Sequence, residues 1–288
     1  MTIINRKPLR HLLLFLNLYH GMDINHVLGY IGALLTGLVL GLLGGGGALL
    51  SVPTLTGFFG LSAAVATGYS LFLVGVTASS GAVQNIRKKM VDFSAVLWYG
   101  IPSLVTVFCI RRFVLPAIPH EIFTVGNFTL DKNHLILLLL SVAIFIAAYK
   151  MILAKPASES DSEPRSLSHS KLVLYAVLLG TFLGMVGAGG GFLMTPALMH
   201  YANLDLKKAI GTSLVLVAVN SLVGFIGDLS INPNIDWLLL AGFSAFSITG
   251  VFIGHALQSK VPTQKLRIMF GWALVAIGVY MVFHELLR

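Results

Sequence analysis

Two glycine runs inside apolar stretches are the features of this sequence best suited to bind a ligand. The first run is Gly44, Gly45, Gly46 and Gly47, and the second contains Gly187, Gly189, Gly190 and Gly191. Each glycine costs a helix about 1 kcal/mol relative to alanine, so we expect a helix to break at each run. Unwound backbone at membrane depth survives only where it is buried in protein or lines a wet cavity. The runs therefore predict two binding positions built from main-chain groups.

A proline follows each run, at Pro53 and Pro196, and we expect it to help unwind or bend the helix there. Short helices are predicted to restart over residues 48–59 and 192–201. Their first N–H groups lack helical partners, and the positive ends of their dipoles would point at the break. Such an arrangement suits an anion without any Lys or Arg. The alternative is that the glycine runs only let helices approach closely, as Gly37, Gly41, Gly180 and Gly184 are expected to do with their small-residue packing faces.

Polar side chains further along are candidates to complete the anion's shell. Ser70, Thr212 and Ser213 would bring hydroxyl donors to the breaks if their helices pack beside them. The alternative is that each hydroxyl bonds a carbonyl of its own helix one turn earlier. Asn220 is polar in the middle of an apolar run and is a further candidate for pocket lining. Asp228, at the end of that run, is expected to be solvated at the interface, and the alternative is a role in proton coupling.

The elements that carry these residues are predicted to be transmembrane helices. The chain has 288 residues, of which 56% are hydrophobic and 10% charged, whereas a soluble domain carries about 25% charged residues. Long runs without charged residues, such as 27–86 and 209–227, provide about eight spans of about 20 residues each. The runs are continuously apolar rather than alternating, which excludes β-barrel strands. We therefore predict an all-α polytopic membrane protein.

The chain is predicted to contain two homologous halves, each with one broken helix. A shift of 143 positions aligns Gly44 with Gly187, Gly47 with Gly190, and Pro53 with Pro196. The resulting organisation is an interfacial N-terminal segment, a first repeat, a polar linker and a second repeat, at residues 1–26, 27–154, 155–170 and 171–288. Asp92 and Asp236 each open a span as expected N-caps.

Orientation depends on the number of crossings in each half. With four crossings the basic loop at Arg87 to Lys89 and the loops at Lys207 and Lys260 fall on opposite faces. With an odd number the halves are inverted, these loops meet in the cytoplasm, and the linker faces the other side. The sequence leaves both counts open.

Charge and cysteine content narrow the choice of partners. The net charge of +8 comes from short basic clusters between spans, Arg111 and Arg112 among them, which indicates juxtamembrane anchoring rather than nucleic-acid binding. A single cysteine and unpaired histidines predict no metal centre. No cofactor is expected.

The segments "GLLGGGGALLSVPTL", "GMVGAGGGFLMTPAL" and "AIGTSLVLVAVNSLVG" resemble the TauE/SafE sulfite-exporter family, also called the 4-toluene sulfonate uptake permeases. The resemblance covers roughly 27–284. It implies a multi-pass permease of the bacterial inner membrane for sulfite, sulfonates or related small organic anions. It also implies a site formed by 44–47, Pro53, 187–191 and Pro196, with Ser70, Thr212 and Ser213. One departure is Tyr69, where the family pattern resembles Thr.

These observations predict a secondary transporter for a small anion, working by alternating access around the paired breaks. No nucleotide-binding motif is present, so a proton or sodium ion, or facilitated passage alone, drives transport. An oligomer is left open. One alternative is a membrane enzyme, which we do not expect because the chain has no HExxH, GxSxG or paired intramembrane carboxylates. The other is a structural or assembly membrane protein.

Overall fold

The computed structural model describes residues 24–43, 47–119, 121–125, 128–153, 169–187, 189–229, 235–257 and 263–286. Helices dominate these residues. Their bounds are α1 Ile24–Leu43, α2 Ala48–Phe59, α3 Ala63–Arg87, α4 Phe93–Cys109, a π-helical turn Ile110–Val114, α5 Leu115–Ala117, α6 Lys132–Leu153, α7 His169–Val186, α8 Gly191–Tyr201, α9 Leu206–Leu229, α10 Trp237–Leu257 and α11 Thr263–Leu286. A hairpin of β1 (Glu121–Val125) and β2 (Phe128–Asp131) precedes α6. The predicted N-terminal segment lies almost wholly outside the described residues.

The helices confirm an all-α polytopic membrane protein. Among the described residues, six helices are long and apolar enough to cross a bilayer, and three more apolar helices are shorter. The central helices α3 and α9 are the most buried, with 67% and 72% of their spanning windows inside the protein. Large apolar side chains elsewhere, such as Leu97, Trp98 and Leu178, are more than half exposed. Lipid covers these faces.

Both glycine runs separate two helices, as predicted. Helix α1 ends at Leu43 and α2 begins at Ala48, while α7 ends at Val186 and α8 begins at Gly191. The bounds of α2 match the prediction, and α8 starts one residue earlier than predicted. Pro53 and Pro196 lie inside α2 and α8, so neither proline ends its helix, and a bend at each remains a prediction. The glycines alone break the chain.

Each short helix folds back along the helix before it. In the first pair, Thr54 and Phe59 of α2 approach Gly32 and Gly29 of α1. In the second, the rings of Tyr175 on α7 and Tyr201 on α8 lie 4.8 Å apart. The two pairs are therefore antiparallel hairpins whose tips are the glycine breaks.

Close helix packing follows small residues, which confirms the packing interpretation for four glycines outside the breaks. Gly37 and Gly41 of α1 approach Ser247 and Val251 of α10, so these two helices run parallel. Gly180 and Gly184 of α7 approach Ser103 and Ile110 in the same way, so α7 runs parallel to α4. Small residues allow helix backbones in a membrane to approach closely.

Helices α3 and α9 form an antiparallel pair at the centre of the bundle. Gly68, Gly75 and Gly81 of α3 face Asp228, Leu222 and Leu214 of α9 in reverse order. Helices α6 and α11 are also antiparallel, with Gly271 against Ile152 and Gly278 against Ile144.

These directions place several basic residues at one end of the bundle, which we call the basic face. Helix α3 ends there and α9 begins there, because Gly211 approaches Met90. Its basic residues are Arg87, Lys88, Lys89, Lys207 and Lys208. Helix α6 ends and α7 begins at this same face, so the expectation that the linker faces the other side is wrong. Residues 155–168 of the linker lie outside the described residues, and α7 takes up its last two positions.

Candidate functional site

The second glycine break has a backbone that favours glycine. Gly187, Gly189 and Gly190 have φ angles of +69°, +61° and +67°. A side chain in this left-handed region costs about 1–2 kcal/mol, because Cβ approaches the following carbonyl oxygen. Gly190 directly precedes α8, so the first N–H groups of that helix point into the break.

Gly189 of the second break lies at the middle depth of the central helix pair. A methyl group placed on Gly189 would lie 2.5 Å from Val74 Cγ1 and 3.3 Å from Val217 Cγ1. Val74 and Val217 are close to the midpoints of α3 (Ala63–Arg87) and α9 (Leu206–Leu229). The same methyl group would lie 3.3 Å from the hydroxyl oxygen of Ser221. Ser221 is 1% exposed, and its hydroxyl has no hydrogen-bond partner among the described residues.

The first break is only partly described, because Gly44, Gly45 and Gly46 lie outside the described residues. Gly47 precedes α2 with an ordinary right-handed conformation, φ −61° and ψ −26°. A methyl group on Gly47 would collide with the main chain at Thr36 and Leu40 of α1. Ala48, the first residue of α2, is fully buried in the same apolar cluster as Val74 and Val217. Both short helices thus begin in the buried core of the bundle.

The two predicted serines each contact a short helix. Ser70 of α3 lies 2.5 Å from the hydroxyl of Ser51 on α2, and Ser213 of α9 lies 2.9 Å from the hydroxyl of Thr195 on α8. Ser51 and Thr195 are one turn beyond Gly47 and Gly191. Ser213 also donates to the Ile210 carbonyl of its own helix at 2.9 Å, which is close to the alternative considered for the hydroxyls. Each break therefore has a pair of hydroxyls beside it, of which Thr195 is half-buried and the other three are buried.

Thr212 contacts a loop rather than a break. Its hydroxyl accepts the main-chain N–H of Asp92 at 3.0 Å. Tyr69 makes the corresponding contact in the other half, where its hydroxyl accepts the N–H of Asp236 at 2.7 Å. The departure from the family pattern at Tyr69 thus falls at a loop contact. Both aspartates also cap their helices, since Asp92 accepts the N–H of Ala95 and Asp236 that of Leu239, as predicted.

Asn220 and the prolines lie away from the glycines of the second break. The Asn220 amide donates to the Ser103 hydroxyl of α4 at 2.7 Å, and its carbonyl oxygen has no partner among the described residues. Pro53 is half-buried within α2. Pro196 is exposed on α8, where it lines an apolar pocket of about 500 Å³ together with Tyr175, Tyr201 and His200. Neither Thr195 nor Ser213 is among the residues that line that pocket.

A buried arginine lies beside the second break, which corrects two predictions about charge. Arg111 is completely buried in the π-helical turn, so it does not anchor the protein at the membrane surface. A methyl group on Gly187 would lie 2.5 Å from Arg111 Nη2, so the guanidinium contacts the break. The expectation of an anion site without any Lys or Arg is therefore wrong for this break.

Two side chains contact the Arg111 guanidinium. Its Nη1 donates to the Thr67 hydroxyl at 3.2 Å and lies 3.9 Å from Asp228 Oδ1. Asp228 is 7% exposed, so the expectation that it is solvated is also wrong. Arg111 Nε and Nη2 have no hydrogen-bond partner among the described residues.

Sequence reasoning missed Arg111, Thr67 and Ser221. Arg111 stands six residues before the end of a span that runs from Phe93 to Ala117. An ionisable residue inside a span is a functional candidate by default, and this signal was available. Its pairing with Asp228, 117 positions later in the chain, was not.

Comparisons with known proteins identify similar exporters or membrane transporters. A family model described as "Sulfite exporter TauE/SafE" matches residues 30–281. A "Probable membrane transporter protein" of Xylella fastidiosa is 27% identical, and the alignment covers 87% of this chain and 92% of that protein. YunE, a "Probable membrane transporter protein" of Bacillus subtilis, is 25% identical, and the alignment covers 87% of this chain and 95% of YunE. A "Probable membrane transporter protein" of Methanocaldococcus jannaschii is 26% identical, and the alignment covers 86% of this chain and 94% of that protein. No solved structure matches the chain.

Proposed function

Because the chain belongs to the TauE/SafE sulfite exporter family, we propose that it is a secondary transporter that moves sulfite, a sulfonate or a related small anion across the cell membrane. The names of its relatives also indicate a membrane transporter. The anion binds at the glycine breaks, where the N–H groups of α2 and α8 and the neighbouring hydroxyls receive it. The site closes to one side of the membrane before it opens to the other.

One observation carries this proposal. Gly189, one of the left-handed glycines that precede α8, lies against Val74 and Val217, at the middle of the two most buried helices. Free main-chain donors at that depth are costly unless something satisfies them. The positive end of the helix dipole favours a negative group there. A small oxyanion meets both requirements.

The arrangement of the hairpins supports alternating access. Hairpin α7–α8 enters from the basic face, and α1–α2 enters from the opposite face. In the proposal the two repeats, 27–154 and 171–288, are inverted copies, because each contains one re-entrant hairpin and three crossings. Inverted repeats that hold a site at their interface are common among secondary transporters. Movement of one hairpin would open the site to one side only.

The basic face is assigned to the cytoplasm in this proposal. Lys and Arg residues in short loops are retained on the cytoplasmic side, and Arg87, Lys88, Lys89, Lys207 and Lys208 all lie at this face. The site is closed in this structure, since Ser70 and Ser213 have 0% exposure and Ser221 has 1%. Either the anion gradient alone or a coupled proton or sodium gradient sets the direction of transport.

Flux through the purified protein tests the proposal. Liposomes that contain the protein should take up labelled sulfite, sulfoacetate or methanesulfonate faster than protein-free liposomes, and an excess of the unlabelled anion should slow the uptake. Uptake that equals the protein-free control for every anion of this panel would contradict the proposal.

The hydroxyl pairs give a first mutational prediction. Ser70→Ala and Ser213→Ala should each raise the apparent KM for the transported anion roughly five- to tenfold, because each removes a hydrogen bond worth about 1 kcal/mol. Ser79→Ala is the matched control, since the Ser79 hydroxyl donates within its own helix to Gly75 at 2.7 Å. Unchanged KM values in both site variants, measured from initial uptake rates, would remove the hydroxyls from the site.

A further inference from the structure

We propose that the Arg111 guanidinium binds the oxyanion group of the substrate at the second break, and that Asp228 balances its charge when no anion is bound. This inference rests on the proposed function and names its charged ligand. It concerns a cluster, defined as Arg111, Asp228, Thr67 and Gly187, that lies between α4, α9, α3 and the tip of the α7–α8 hairpin.

The hydrogen-bond donors of Arg111 that have no protein partner are arranged to bind an oxyanion. Nη1 is engaged by Thr67, whereas Nε and Nη2 have no partner among the described residues although the side chain is fully buried. Nε and Nη2 lie on one edge of the planar guanidinium and point in the same direction. This edge is the fork that binds two oxygens of a carboxylate, phosphate or similar group at once. Sulfite and sulfonates present the same pair of oxygens.

The fork opens beside the glycine break. Nη2 lies so close to Gly187 that a methyl group there would be 2.5 Å away. Gly187 leads through Gly189 to the first turn of α8 and to the free Ser221 hydroxyl. An anion held by the fork would therefore be adjacent to the main-chain donors of the break. The guanidinium and the helix dipole act on the same ligand.

Asp228 does not occupy the Nε and Nη2 donors of Arg111. Its carboxylate is 3.9 Å from Nη1, beyond hydrogen-bond distance, and faces Gly68 of α3. A purely structural ion pair would be expected to use the bidentate edge, which is the stronger arrangement. Lys132, at the start of α6, also interacts electrostatically with Asp228 and with Arg111. Asp228 offsets the charge of Arg111, and the charge of Lys132 leaves the group with one net positive charge. A bound anion would neutralise that charge.

The cluster makes the two breaks chemically different. Asn85 stands 143 positions before Asp228, and the caps Asp92 and Asp236 show that the shift between α4 and α10 is 144, which places His255 opposite Arg111. The first break therefore has neither an arginine nor a carboxylate at the equivalent positions. One guanidinium in the transporter fits one anion per cycle. It lies at the hairpin that enters from the basic face.

A double variant separates anion binding from a structural role. Removing one member of a buried ion pair leaves an unpaired charge, whereas replacing both members is often tolerated. Arg111→Gln combined with Asp228→Asn should therefore fold and enter liposomes. If Arg111 binds the anion, this variant should lose the rise in Tm that sodium methanesulfonate causes relative to sodium chloride, and uptake should fall about tenfold or more. Arg112→Gln is the matched control, because Arg112 is the exposed neighbour.

Each outcome tests either the inference about Arg111 or the proposed transport function. A folded double variant with the wild-type response to methanesulfonate and wild-type uptake overturns the inference and leaves the proposed function standing. Wild-type protein without uptake or anion response contradicts the proposed function itself. If the double variant does not fold, Asp228→Asn alone decides. It should increase methanesulfonate affinity severalfold, since the competing carboxylate is lost, and unchanged or weaker affinity overturns the inference.

Discussion

Replacing Gly189 with leucine is expected to abolish anion flux in liposomes while the protein still enters the membrane. Gly189 has φ +61°, which costs any L-residue about 1–2 kcal/mol. Its side chain would also meet Val74 at 2.5 Å and fill the space beside the Ser221 hydroxyl. The backbone of the break would then either adopt another conformation or have no space for an anion. Initial uptake of labelled sulfite measures the effect.

Gly57→Leu is the control for this experiment. Gly57 lies in α2, and a methyl group added there would meet nothing within 4 Å. This variant should transport at close to the wild-type rate. Size-exclusion chromatography of both purified proteins shows whether the Gly189 variant is folded. A folded Gly189→Leu protein with wild-type flux would exclude the second break from the transport path.

Gly37→Leu is expected to cause the largest loss of stability. Gly37 of α1 packs directly on the main chain of α10 at Ser247, and the neighbouring Ser247 hydroxyl donates to the Ala33 carbonyl at 2.9 Å. A leucine would separate the two backbones, and overpacking in a tight core costs about 1–3 kcal/mol and occasionally more. The Tm in detergent should fall by several degrees, since 1 kcal/mol shifts Tm by about 2–4 °C in a protein of this size.

Leu35→Ala on the same helix provides the comparison for stability. Leu35 is 47% exposed to the surroundings of the bundle, so its truncation leaves no cavity between helices. Its Tm should stay close to that of the wild type. A Gly37→Leu protein as stable as Leu35→Ala would show that α1 and α10 can separate without loss, contrary to the packing described here.

The parts of the fold that follow from local physics were predictable from sequence. Four glycines in one run cannot stabilise a helix, so the ends of α1 and α7 and the restart at Ala48 followed directly. Small residues spaced along α1 and α7 indicated tight helix packing, and an aspartate at the start of α4 indicated an N-cap. These features depend on neighbours within one or two turns.

The remaining features depend on tertiary contacts. A proline was expected to help unwind its helix, but Pro53 is the sixth residue of α2 and the helix continues through it. The return of α8 along α7 depends on contacts such as that between Tyr175 and Tyr201. Asn220 was chosen for pocket lining, yet its neighbour Ser221 faces the break, because helix rotation is set by packing.

The positions of the charged residues also depend on tertiary contacts and were not predictable from sequence. Arg111 was assigned to the membrane surface because it stands next to Arg112, and the π-helical turn instead directs it into the bundle. Asp228 was expected in solvent because it ends an apolar run. Only the antiparallel packing of α3 on α9 brings Asp228 to Arg111 and to Gly187. No pattern within either segment indicates that meeting.

The central claim is that an anion occupies the second glycine break, and protection of a cysteine placed there tests it most directly. In a Cys109→Ser background, Ser221→Cys puts a thiol beside Gly189, and Lys88→Cys puts one in an exposed loop as the control. We expect a charged methanethiosulfonate reagent to label the thiol at position 221 during transport. Sodium methanesulfonate should slow that labelling with the same half-saturation as transport and leave position 88 unaffected. Labelling at position 221 that saturating methanesulfonate does not change, in protein that transports the anion, would contradict the account.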